Sequence, residues 1–271
     1  MRVQSTLNSY QFKNTANQMK ETQKQQDKSS KELSTGKKVN TAGDDAAAMA
    51  ITQQIMKEAK SLSAGSNNIS YGIDAANIAD SALANINDSL GDIEQNTVRA
   101  MNGLYSESDR AILQEANEQS VATINQTISQ ASYNEMNLLD GTAGDININT
   151  GTSSMSITET DAKAAMADLE NFDVSASADS ISTEALDGAY SSVSDMRSQI
   201  GAQTNGLSAA YNVNNSTEEN LTAAQARKED AEFEKSVSEY KNSAVVKEAQ
   251  NQMLKNQMDS QENMVNKLFQ Q

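Results

Sequence analysis

From Asp45 to Ala100 the chain reads DAAAMAITQQIMKEAKSLSAGSNNISYGIDAANIADSALANINDSLGDIEQNTVRA, and this stretch decides the fold. Ile55, Leu62, Ile69, Ala76, Leu83 and Leu90 follow one another at seven-residue steps, and the second half adds Ala79, Ile86, Ile93 and Ala100. Two apolar series offset by three positions define a coiled-coil seam. At the standard rise per residue, a helix over this stretch is roughly 80 Å long. It needs a partner for its seam.

That partner lies beyond Ser182, where Leu186, Val193, Ile200, Leu207 and Leu221 keep the same step and only Asn214 interrupts it. Ala189, Met196, Ala210 and Ala224 are the companion positions. Two heptad segments separated by a turning region can pair antiparallel within one chain and bury both seams. Between them, Asn102-Gly103 breaks the first helix, and Ser106-Glu-Ser-Asp109 has the spacing of a capping box for a second helix over 107–131. That helix carries Leu113, Val121, Ile124, Ile128 and Ala131. In DININTGTSSMSI, from Asp145 to Ile157, Ile146 and Ile148, then Met155 and Ile157, alternate with polar residues around Gly151. That pattern predicts a β-hairpin. Residues 159–182 are acidic, rich in Ser and Ala and without a period, which predicts a short helix and a surface loop.

Both ends are sparser. Residues 2–33 offer Val3, Leu7, Tyr10, Met19 and Leu33, and the last segment offers Phe233, Val237, Tyr240, Ala244, Met253, Leu254, Val265, Leu268 and Phe269. Such helices are marginal alone in water and require packing against each other or against neighbours. Gly36 in LSTGKKVN ends the first helix, and Thr41-Ala-Gly-Asp44 predicts a capping box for the second, with Asp44 and Asp45 at its positive end. The fold class expected is mainly α: an elongated antiparallel coiled-coil helical bundle with a small β-hairpin.

Composition restricts the function. With 37% apolar residues, 4% aromatic and no Trp among 271 residues, and a mean hydropathy of −0.64, a single compact core would be thin. No Pro occurs, so long helices are permitted almost everywhere. No Cys and no His occur either, which removes disulfides, thiolate nucleophiles, imidazole bases and the best transition-metal ligands. With no phosphate loop and no nucleophile elbow, the expectation is a non-enzyme without catalytic residues, metal or cofactor. Asp44-Asp45 reads as a helix start rather than a metal pair. The net charge of −16 disfavours nucleic acid and anionic membrane as partners. The N-terminal MRVQSTLNSYQFKNTANQMK lacks the apolar run of a cleavable signal, and no stretch reaches the roughly 18 apolar residues of a membrane span. The chain is therefore expected to stay in the cytosol or to leave by a route that reads no such signal.

LSTGKKVNTAGDDAAAMAI, from Leu33 to Ile51, resembles the N-terminal signature of bacterial flagellins, and MRVQSTLNS resembles their opening. The stretches from Asn102-Gly103 to Asp109-Arg110 and from Tyr133-Asn134 to Asp140-Gly141 are similar to the close of the family's N-terminal half. GAQTNGL (201–207) and ENLTAAQARKEDAEFEK (219–235) resemble its C-terminal signature. The motifs cover nearly the whole chain in the right order.

The resemblance implies a short flagellin, a structural subunit that polymerises into the flagellar filament outside the cell for swimming motility. It divides the chain into an N-terminal inner-tube helix and turn (1–40), the N-terminal part of the rod (41–140), a hairpin and loop in place of outer domains (141–182), a C-terminal rod helix (183–229) and a C-terminal inner-tube helix (230–271). Subunit contacts in the inner tube would fall on Val3, Leu7, Tyr10, Phe233, Val237, Tyr240, Leu254, Val265, Leu268 and Phe269. The rod seam would use Ile55, Leu62, Ile69, Leu83, Ile86, Leu90, Ile93, Leu186, Val193, Ile200, Leu207 and Leu221. Implied partners are many copies of the chain, an export chaperone, the type III export apparatus, and hook-associated and cap proteins. In many flagellins an Arg and a Leu upstream of the Asn-Gly break contact an innate immune receptor of the host. Here those positions hold Asp92 and Asn96, with Arg99 nearby, which predicts weak activation of that receptor. A hook-filament junction protein has the same terminal layout, but it matches TAGDDAAAMAI and ENLTAAQAR only loosely. A cytosolic coiled-coil scaffold predicts a stable dimer instead.

Overall fold

The computed structural model describes residues 2–158 and 160–269, with side chains for 10–158, 160–263, 265 and 266. Its elements are α1 (Arg2–Thr35), α2 (Ala46–Ala100), α3 (Glu107–Gln130), β1 (Ser132–Tyr133), β2 (Met136–Asn137), β3 (Ile146–Asn149), β4 (Ser154–Ile157), α4 (Ala162–Ala165), α5 (Glu184–Glu229) and α6 (Phe233–Phe269). The chain divides into two compact units. One is Glu58–Asn220, and the other combines the flanking segments up to Lys57 and from Leu221.

The central unit is organised by the two heptad helices. Leu62, Ile69, Leu83, Ile86, Leu90 and Ile93 of α2 and Leu186, Val193, Ile200 and Leu207 of α5 are all buried. Each such aliphatic side chain stabilises the fold by about 1.5–3 kcal/mol relative to exposure. The helices run antiparallel: Tyr190 Oη donates to Glu94 (3.1 Å), Arg197 Nε to Asp80 (2.9 Å) and Ser66 Oγ to Asn215 (3.1 Å). Burial and the neighbouring Glu94 and Asp92 carboxylates push the Tyr190 hydroxyl up to about 12.

α3 starts on the capping box its sequence predicts. Ser106 Oγ accepts from Asp109 N (3.2 Å) while the Asp109 carboxylate accepts from Ser106 N (3.0 Å), and the bonds from Ser106 hold the Asp109 carboxyl below its ordinary range. Ile124 and Ile128 turn into the core.

β3 and β4 form the predicted hairpin, pairing Ile146 with Ile157 and Ile148 with Met155. Gly151 at its tip has φ +90°, a conformation that costs glycine nothing. The tip is seated on the two heptad helices. Ser61 Oγ donates to Gly151 O (2.8 Å), Asn68 Nδ2 to Asn149 O (3.0 Å) and Asn214 Nδ2 to Thr150 O (2.8 Å). Asn214, the interruption in the α5 series, is thus a buried polar staple.

Two expectations need correction. Residues 160–182 are not a surface loop. α4 and two short 3-10 turns bring Ala162, Met166, Leu169, Phe172, Val174 and Ile181 into the core. Gln114 of α3 clamps the segment, donating to Phe172 O (3.1 Å) and accepting from Val174 N (2.9 Å). Short 3-10 pieces carry no long period, so their apolar residues leave no stripe to read. Thr41–Asp44 is not the cap of α2 but a turn of its own, in which the Asp44 carboxylate takes Asn40 N (3.0 Å) and Thr41 N (2.8 Å). The cap is the next residue, Asp45, whose Oδ1 accepts from Ala48 N at 2.8 Å.

Candidate subunit-contact surface

The second unit is built on α1 and α6. They lie antiparallel, as the bonds from Ser236 Oγ to Glu32 (3.0 Å), Gln25 Nε2 to Glu239 (3.2 Å) and Lys247 Nζ to Gln26 (3.4 Å) show. α1 stops at Thr35 because Gly36 takes φ +71°, the left-handed conformation favoured just past a helix end. The chain then bridges to the end of α5. Lys38 N donates to Glu229 O (2.7 Å), Ala231 N to Gly36 O (2.9 Å) and Lys37 Nζ to Glu229 Oε1 (2.6 Å). The Lys37 bond, then that from Gln225, holds the Glu229 carboxyl below the usual glutamate range. Bonds from Asn40 and Thr41 likewise lower Asp44.

The seam between α1 and α6 is polar. Thr15 and Ser29 of α1 and Ser236 and Ser243 of α6 are buried. Gln250 and Gln257 of α6, each seven residues further on, turn a side-chain oxygen out of contact with solvent. The seam therefore has heptad spacing written in Ser, Thr and Gln, which a search for apolar periodicity does not register. Its short side chains let the two backbones approach closely, with little apolar area removed from water.

The large apolar side chains point the other way. Tyr10 is 73% exposed, Phe233 69% and Val245 69%. Tyr240 and Val265, both expected as contacts, are exposed too, and so are Phe12, Val246, Met253 and Met258. Of the expected contacts, only Val237 and Leu254 are half-buried. The side chains of Val3, Leu7, Leu268 and Phe269 lie outside the described residues. Phe12, Val245, Val246 and Met258 were legible as apolar residues but fall outside the sparse stripes read from sequence. Of the expected seam residues, Ile55 and Leu221 lie in this unit and are half-buried. An apolar exterior over a polar seam inverts the usual order of a helical pair and marks a surface completed by something else.

In the central unit, Asp92 and Arg99 are exposed on α2. Arg99 is tied to Gln95 (2.8 Å), and half-buried Asn96 donates to Asn117 on α3 (3.0 Å). Among the described residues no cluster of His, Cys, Asp and Glu is placed to hold a metal ion. No helix among them is long and apolar enough to cross a membrane.

Residues 6–144 match the model of the bacterial flagellin N-terminal helical region. The flagellar filament 33 kDa core protein of Treponema phagedenis is 30% identical, over 84% of this chain and 86% of that protein. A flagellin of Halalkalibacterium halodurans is 28% identical over the same shares. In fold alone, the chain is similar to a structure provisionally assigned as a flagellar hook-associated protein from Vibrio parahaemolyticus, with TM-score 0.58, 14% identity, 69% of this chain covered and 100% of that one.

Proposed function

We propose for this chain, which belongs to the bacterial flagellin family, that the paired terminal helices α1 and α6 supply the contacts by which its copies polymerise. The chain is a structural subunit of the extracellular flagellar filament. One observation carries the assignment of contacts: Tyr10, Phe12, Phe233, Val245 and Met253 face solvent while Ser29, Ser236 and Ser243 fill the seam. Burying that exterior against neighbouring copies supplies the apolar driving force the pair lacks by itself, and it offsets the entropy of ordering two marginal helices.

The same reading includes export through the flagellar type III apparatus with a chaperone, and hook-associated and cap proteins at the filament's ends. It also includes weak recognition by the host innate immune receptor, because Asp92 and Asn96 replace the Arg and Leu the receptor reads in other flagellins. A strong response to purified monomer in a receptor reporter assay would remove that last element.

The experiment is electron microscopy of the seeded full-length protein beside a version lacking residues 1–33 and 230–271. Filaments from the full chain alone are expected. Filaments from both would move the contacts out of the terminal helices. None from either would favour a hook-filament junction protein, and a stable dimer would favour a scaffold.

A further inference from the structure

The sequence contains two Asn-Gly pairs, Asn102-Gly103 and Asn205-Gly206, and the fold treats them differently. Both asparagines are exposed, so access to water does not separate them. Asn205 and Gly206 lie within α5, where the helical ladder engages the glycine N–H and fixes the backbone dihedrals. Asn102 and Gly103 lie between α2 and α3, and among the described residues the Gly103 N–H has no partner. The Asn102 side chain already folds over the following backbone, its Oδ1 accepting from Leu104 N at 3.0 Å. A Cβ on Gly103 would meet nothing within 4 Å.

We propose that Asn102 is a site of spontaneous covalent modification: deamidation through a cyclic imide formed with Gly103. The Gly103 nitrogen attacks Cγ of Asn102, and the new C–N bond closes a five-membered ring. The Cγ–Nδ2 bond breaks, and ammonia leaves carrying the proton lost from the Gly103 amide. Water then opens the ring at either carbonyl, giving aspartate or isoaspartate, with no oxidant or cofactor needed. The hydrogen bond from Leu104 N polarises the Cγ carbonyl toward attack. Glycine at the next position removes the side chain that would crowd the ring. In α5 the same step requires local unfolding, because the helical ψ of Asn205 keeps the next nitrogen away from Cγ. The product places a carboxylate among exposed Val98, Met101 and Leu104. By the isoaspartate route it also lengthens the backbone by one methylene where the two helices join.

The test is incubation of the purified full-length protein at mildly alkaline pH, followed by tryptic mapping by mass spectrometry. Asn102 is the only asparagine in the peptide from Ala100 to Arg110. Conversion there is expected to be about tenfold or more faster than at Asn205, the margin set by helix opening. In denaturant the two rates should converge. Gly103→Ala, which has room for its methyl group, should keep the native circular dichroism and slow the reaction by about tenfold or more, because the added Cβ hinders the approach of the nitrogen. Equal native rates, a difference that persists in denaturant, or an unslowed Gly103→Ala protein would each overturn the assignment.

Discussion

Asn214 occupies a place that the seven-residue series of α5 would give to an aliphatic side chain, and it is buried all the same. Its amide donates to the carbonyl of Thr150, which lies at the hairpin tip and is itself buried. Asn214→Ala is expected to cost about 1–3 kcal/mol, because the Thr150 carbonyl is left buried without a donor. In a thermal melt followed by circular dichroism the midpoint should fall by about 2–4 °C for each kcal/mol. An unchanged midpoint would mean that water replaces the amide. Sequence could show that Asn214 breaks a period but not why, since its partner is 64 residues away. Gly65 is a similar case. A Cβ there would collide with the Thr150 carbonyl, so a residue that looks like a flaw in a helix is the seat of the hairpin. Leu83 or Ile93, by contrast, were legible because apolar burial along a helix repeats with the helix.

The helices themselves were legible because their signals are local. Ser106 and Asp109 cap α3 across three residues, and Gly36 ends α1 at its own position. Residues 160–182 were not, since their burial depends on Gln114 of a distant helix and on apolar residues with no common period. The junction of Lys37 with Glu229 was also hidden, being a contact between charges in unrelated segments. It makes a pH prediction. The Glu229 carboxyl is held below its ordinary range by Lys37 and Gln225, so the folded form binds its proton less readily than the unfolded chain does. Its contribution is fully present above the ordinary glutamate range and is lost as pH falls through the depressed value. Amide exchange at Lys38 and Ala231, corrected for intrinsic rates, should stay flat down to that range and accelerate below it. Glu229→Gln should already exchange faster at neutral pH and show little further change on acidification. Identical profiles for the two proteins would dissociate the junction from this ion pair.

For the molecule as a whole, the two units solve opposite problems with one kind of element. The central unit buries Leu, Ile and Val between heptad helices and is stabilised by its own core. The terminal pair buries Ser and Thr and turns Tyr, Phe, Val and Met outward, so apolar contact is left for copies of the chain to supply. A substitution on that exterior should therefore separate folding from assembly. Phe233→Ser combined with Val245→Ser removes two side chains that contribute little to the monomer, since exposed positions usually shift stability by no more than about 0.5 kcal/mol. The monomer's helical content and melting midpoint should stay near those of the parent protein. Seeded growth into filaments, followed by light scattering and microscopy, should be lost or slowed. A comparable loss of monomer stability would mean that these side chains pack within the isolated chain. Undiminished growth with an intact monomer would mean that α6 presents some other face to its neighbours.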